Sequence, residues 1–294
     1  MKAMTAKSIL STLSYHDHFC YSLSLDQIYD WFWRQWLDKK DKKEVNKTIE
    51  QLLKEKKIIK EKNRFALPGK SSYIKNYPER RSYSLKKQKI AIFTAKQIAK
   101  KVPWVLMIGL TGNTAMQNAD EKDDIDLMLI AAKDRLWLSR LFVFLMFLKT
   151  GKQRRSGLTD SVKDKICINL WFDTGSLEIL QKNAFTAHEL LAMQPLFDRN
   201  NTYKKFIQDN AWAAQYWPNI FNNKKAKFKL KNKNKGRRSK TLFLLNTFFY
   251  RLQYFYMKKN ISNEKIGLHF AYFHPKNRSK SVLEAFKKRQ KEVQ

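Results

Sequence analysis

Residues 105–131 constrain this chain more than any other stretch. They read Val-Leu-Met-Ile-Gly-Leu-Thr-Gly-Asn-Thr-Ala-Met-Gln-Asn-Ala-Asp-Glu-Lys-Asp-Asp-Ile-Asp-Leu-Met-Leu-Ile-Ala. The apolar run 105–108 has the length and composition of a buried strand and stops at Gly109 and Gly112. A short helix and an acidic loop follow. A second strand then opens on Asp124-Ile125-Asp126 and continues to Ile130. Alternate side chains of a strand share a face, so Asp124 and Asp126 point the same way, with Ile125 opposite. Two carboxylates at that spacing repel each other unless a cation lies between them. Sites built from carboxylate oxygens suit Mg²⁺ or Mn²⁺.

This pattern resembles the signature of the DNA polymerase beta-type nucleotidyltransferase superfamily. That signature is a Gly-Ser turn followed by Asp-x-Asp or Asp-x-Glu inside a strand. Gly112-Asn113 stands for the turn, with Asn113 where Ser is usual, and Asp124-Ile125-Asp126 for the acidic pair. The resemblance implies a nucleoside triphosphate held by Gly112 and Asn113. It implies Mg²⁺ or Mn²⁺ held by Asp124 and Asp126, and transfer of a nucleotidyl group to an acceptor. In active members a third carboxylate comes from a later strand. The segment 165–173, Lys-Ile-Cys-Ile-Asn-Leu-Trp-Phe-Asp, fits that strand. Strict alternation puts Ile166, Ile168, Leu170 and Phe172 on one face, and Cys167, Asn169, Trp171 and Asp173 on the other. Asn169, at the interior position, is an amide. Asp173, at the strand end, is then the expected third catalytic carboxylate. The alternative is a non-catalytic, nucleic-acid-binding regulator on a degenerate nucleotidyltransferase fold.

Charge bounds the partners. Lys+Arg 59 against Asp+Glu 26 leaves a net charge of +33. Such an excess points to a polyanion, a nucleic acid or a nucleotide. The competing explanation is codon bias, since Lys greatly outnumbers Arg. The segment 224–240 holds ten of these cations and reads as a mobile basic loop. Cys20 and Cys167 are far apart and show no metal or disulfide spacing. With no signal-like apolar region at the start, a cytoplasmic protein is expected.

The chain of 294 residues is long enough for a sizeable core and more than one domain. Residues 1–70 resemble a winged-helix unit. Helices are expected near 3–13, 24–33 and 42–56, the second capped by Ser24 with Gln27 three residues on. A hairpin turning at Lys62-Asn63 follows. Residues 68–72 read as a linker, and 79–101 as a long helix, basic outside. A nucleotidyltransferase-like core is expected over 79–183, with a mainly helical extension over 184–294. His188 is expected as a structural hydrogen-bonder. The run 141–148 is apolar all round and reads as a helix buried on the sheet. It is too short to span a bilayer, and the aromatic helix 241–257 reads as buried too. Membrane contact is therefore the minority expectation. The expected class is α+β: a mixed sheet flanked by helices, a small N-terminal unit and a C-terminal helical extension.

Overall fold

The computed structural model describes residues 2–34, 41–148, 161–226, 239–273 and 278–293. The fold is mixed α+β, with two sheets. The first part runs α1 (Lys2–Asp17), β1 (Leu23–Ser24), α2 (Leu25–Asp30), α3 (Lys42–Lys54), β2 (Ile59–Glu61) and β3 (Arg64–Ala66). Its antiparallel sheet has the order β1-β3-β2. Its core gathers Leu13, Leu23, Ile28, Ile49, Leu52 and Phe65. Ser24 caps α2 as expected, with the Gln27 N–H donating to Ser24 Oγ and the Ser24 N–H to Gln27 Oε1. Lys62 and Asn63 both have positive φ, 44° and 62°. Such backbone suits a two-residue hairpin turn.

The expected linker instead contains a short helix, α4 (Ser71–Lys75), which leads into α5 (Tyr77–Lys101). Then come β4 (Val105–Leu110), α6 (Gly112–Ala115), β5 (Ile125–Ala131), α7 (Leu136–Leu148) and β6 (Ile166–Asp173). The remaining elements are α8 (Ala184–Ala192), β7 (Gln194–Asp198), α9 (Thr202–Asp209), α10 (Pro218–Ala226), α11 (Lys240–Met257), β8 (Lys265–Ile266), β9 (Phe270–Tyr272) and α12 (Arg278–Val293). The main sheet has the order β7-β4-β5-β6-β9-β8. Among the described strands only the pairing of β5 with β6 is parallel.

Both faces of this sheet are covered. Ile125, Leu127 and Leu129 of β5 join Ala91, Ala95 and Ile98 of α5 and Trp137 of α7 in one cluster. Met128 and Ile130 join Leu190, Phe206 and Phe286 in the other. That second cluster also takes Tyr15 and Trp31 from the N-terminal part. Polar contacts tie the parts together: Asn118 Nδ2 donates to Phe19 O (2.8 Å), and Arg289 Nε to Asp17 Oδ2 (2.8 Å).

Four expectations change. The helical extension contains strand β7, where Pro195 is tolerated because β7 lies at the sheet edge. It also contains β8 and β9, which close the opposite edge. The run in α7 is not wholly buried: Phe142, Phe144, Leu145 and Leu148 are exposed, and α11 exposes a long apolar stripe. The basic stretch 224–240 starts inside α10, where Lys224 Nζ donates to Met193 O (3.0 Å) and Tyr203 Oη (2.8 Å). Its central residues, 227–238, lie outside the described residues. Among the described residues no helix is long and apolar enough to cross a membrane.

Candidate functional site

The end of β4, the turn into α6 and the start of β5 converge, as the spacing of the glycine turn and the acidic pair implies. Gly112 has φ +64°, the left-handed region that L side chains rarely adopt. A Cβ there would lie 2.7 Å from Asp126 Oδ2. Only glycine lets this turn close over the carboxylate. The Thr111 N–H donates to Asp126 O (3.0 Å), which locks the turn to β5. Asn113 is exposed, and its Nδ2 donates to Asp123 Oδ2 (3.1 Å). The same oxygen accepts from the Asp120 N–H (2.9 Å), so the acidic loop is a closed turn.

Asp124, Asp126 and Cys167 bring a carboxylate oxygen, a second carboxylate oxygen and a sulfur within 4.8 Å of one another. Burial raises the Asp126 carboxyl from its ordinary range to about 7, helped by the charges of Asp124 and Glu189. Arg278 and a hydrogen bond from Cys167 pull the other way. Glu189, on α8, is a contributor that the sequence pattern does not single out.

Asp173 does not join this group. In the β5–β6 register Asp126 faces Cys167, while Asp173 faces Ala131 at the far end. The register also slips: Leu127 faces Ile168, but Met128 faces Leu170. Asn169 is thus an extra residue, a β-bulge, and each later side chain of β6 switches face. Trp171 accordingly packs with Ile166 and Ile168, and Phe172 with Met128. Strict alternation puts Asp173 on the Asp126 side; the bulge moves it to the opposite face.

Asn169 itself stays on the Asp126 side, where alternation also puts it. Asn169 Nδ2 donates to Asp126 Oδ1 at 2.7 Å, and its Oδ1 is buried without a hydrogen-bond partner among the described residues. Its backbone carbonyl accepts from the Phe273 N–H of the neighbouring segment (2.8 Å).

Asp173 belongs to a second cluster with Asp134 and His269. Its side chain is fully buried and accepts from the Asp134 N–H (2.9 Å), the Gly175 N–H (2.7 Å) and His269 Nδ1 (2.9 Å). Burial pushes its carboxyl upward, and these bonds oppose the shift. This carboxylate ties the start of α7 to the β6 and β9 ends.

Lys87 is the second residue that sequence reasoning misses. The pattern of the long helix assigns it to the outer, basic face, yet its side chain is 2% exposed. Its Nζ donates to Glu121 O (3.0 Å), Asp123 O (2.7 Å) and Asp164 Oδ1 (2.7 Å). It anchors the acidic loop that delivers Asp124. His188, expected as a hydrogen-bonder, has no hydrogen-bond partner for either ring nitrogen among the described residues, and Nδ1 lies 3.7 Å from Glu189 Oε1. Its ring packs 4.3 Å from that of Trp31.

Fold and site define an α+β protein with a paired-carboxylate centre beside a glycine turn. Comparison with known proteins finds no matching family model, no matching curated protein and no matching solved structure.

Proposed function

We propose that this chain has a nucleotidyltransferase-like core that binds a nucleoside triphosphate with Mg²⁺ or Mn²⁺ at Asp124 and Asp126. One observation carries the proposal: Asp126 is pressed against Gly112, beside Asp124, with its carboxyl raised to about 7. A cation would relieve that repulsion. Asp124 and Asp126 offer hard oxygens that suit such an ion, with the softer Cys167 sulfur as the third group beside them.

The cation, held by Asp124 and Asp126, would neutralise charge on the phosphoryl oxygens and lower the acceptor hydroxyl's pKa. Gly112 and Asn113 of the turn would face the phosphates, with Asn113 Nδ2 as an exposed donor. Asp126 must lose its proton to act as a ligand, so binding should release a proton and strengthen as pH rises through about 7. With this chemistry the proposed activity is transfer of a nucleotidyl group to an acceptor hydroxyl.

A second reading is favoured by Asn169. It contacts Asp126 where a third carboxylate is expected, while Asp173 lies on the other face. That arrangement supports a nucleotide- or nucleic-acid-binding regulator without turnover. The N-terminal helices and hairpin resemble a winged-helix unit, which suits either reading. The exposed surface of α3 mixes Lys43, Lys47 and Lys54 with Glu50.

The test is triphosphate binding by calorimetry with and without Mg²⁺ or Mn²⁺, in wild type and Asp126→Asn, followed by pyrophosphate release in wild type and Asn169→Asp. Equal, cation-independent affinity in wild type and Asp126→Asn rejects the site. An inactive wild type that gains turnover as Asn169→Asp selects the regulator.

A further inference from the structure

Helix α11 has two distinct faces. At about 100° per residue, Asn246, Tyr250, Gln253 and Met257 form one stripe. This stripe meets α7: Asn246 Oδ1 accepts from the Trp137 N–H (2.9 Å), the Tyr250 ring lies 5.1 Å from Trp137, and Arg140 bonds Gln253 and Met257. Leu244, Phe248, Leu252 and Phe255 form a second stripe on roughly the opposite side. Among the described residues nothing covers it: Leu244 is 65%, Phe248 58% and Phe255 64% exposed. Tyr256 beside it is 82% exposed. Contiguous apolar surface of this kind on a folded chain marks an interaction site.

The charge around the stripe identifies the occupant. Neither α7 nor α11 contains an acidic residue. Lys240 and Arg251 of α11, and Lys258 and Lys259 just past its end, are all exposed, and Lys258 Nζ sits 4.7 Å from the Phe255 ring. A second copy of the chain is opposed, because each copy carries +33. A nucleic acid would leave Leu244 and Leu252 uncovered, since aliphatic side chains offer nothing to phosphates. No described helix is long and apolar enough to cross a bilayer. A helix with a Leu/Phe stripe, basic flanks and no acids suits the surface of an anionic membrane. Its apolar face would reach the acyl boundary and its cations the headgroup phosphates.

We propose that the protein docks on an anionic lipid surface through α11. Leu244, Phe248, Leu252 and Phe255 enter the interface, and Arg251, Lys258 and Lys259 engage headgroup phosphates. This proposal is independent of the acidic centre on β5.

The test uses the full chain in co-sedimentation with vesicles of phosphatidylglycerol and phosphatidylcholine, and with phosphatidylcholine alone. Wild type should pellet with the anionic vesicles and remain in solution with the neutral ones. Phe248→Glu/Phe255→Glu should lower the partition coefficient at least about tenfold. Leu244→Glu/Leu252→Glu is a second variant of the same stripe, and circular dichroism confirms that each variant is folded. Wild type that ignores anionic vesicles overturns the proposal. So does equal binding by wild type and both folded variants, which would assign the binding to charge elsewhere. A wild-type dimer in sedimentation velocity that the variants dissociate, without vesicle binding, would overturn it too and give the stripe to a second copy.

Discussion

Asp126→Asn should stabilise the cation-free protein, and the gain should depend on pH. Asp126 is raised from 3.8 to about 7 in the folded chain. An acid whose folded pKa lies above its unfolded value is penalised when ionised. Stability is therefore undiminished below about 4, falls as pH rises from there to about 7, and carries the full penalty above that. The whole shift corresponds to an upper bound of about 4 kcal/mol. The geometry gives a similar scale. Asp124 and Asp126 offer oxygens within 4.8 Å, and two charges at that distance repel by about 3 kcal/mol at an effective dielectric of about 20. Both side chains are partly exposed, so a measured gain of about 1–3 kcal/mol at pH 8 is expected. At pH 5 the gain should be about two fifths as large. Asn can still accept from Asn169 Nδ2, which keeps the fold intact. The assay is urea denaturation of both proteins at pH 5 and pH 8 in a chelator, repeated with Mg²⁺ or Mn²⁺. Added cation should stabilise wild type at pH 8 and leave Asp126→Asn unmoved. A variant no more stable than wild type at pH 8, or a cation effect equal in both, refutes the reasoning.

Gly112→Ala should destabilise by at least about 1–2 kcal/mol from the left-handed backbone alone, and the new Cβ should push Asp126 aside. Weaker cation binding alongside a lower urea midpoint would show both effects; an unchanged midpoint would contradict the geometry. Lys87→Met removes the bonds to Glu121, Asp123 and Asp164 and should cost about 1–3 kcal/mol. Amide exchange should rise over residues 120–124, and protection there equal to wild type would show that Lys87 does not anchor the loop. Asp173→Asn should cost about 1–3 kcal/mol by breaking its bonds at the start of α7. Triphosphate affinity should be unaffected, because Asp173 lies on the other face of the sheet. A selective loss of nucleotide binding in a stable Asp173→Asn protein would return this residue to the site.

Features that depend on neighbours in the chain are legible in the amino-acid sequence. The capping box at Ser24 and Gln27, the turn at Lys62-Asn63, the helix ending at Lys101 and the strand that carries Asp126, with Asp124 just before it, are such features. Each rests on backbone geometry or periodicity within a few residues, so local sequence determines it. Gly112 belongs with them, although its need for glycine comes from Asp126 across the turn. Other features depend on partners far along the chain. The bulge at Asn169 is set by the pairing of β6 with β5 on one side and β9 on the other, and nothing in Cys-Ile-Asn-Leu-Trp announces it. That single extra residue leaves Asn169 beside Asp126, as alternation expects, and moves Asp173 to the other face. Lys87 resembles any other exposed cation of its helix, because the carbonyls that receive it come from a loop more than thirty residues away. The exposure of α11 is hidden for the same reason. Its apolar residues all read as core, and only the packing of α7 on one stripe shows which of them the fold leaves uncovered. Sequence alone determined the longer helices, the N-terminal hairpin, the strands β4 to β6 and where the acidic pair sits. Tertiary structure decided which side chains share a face and which meet solvent, because burial and register are properties of pairs of segments.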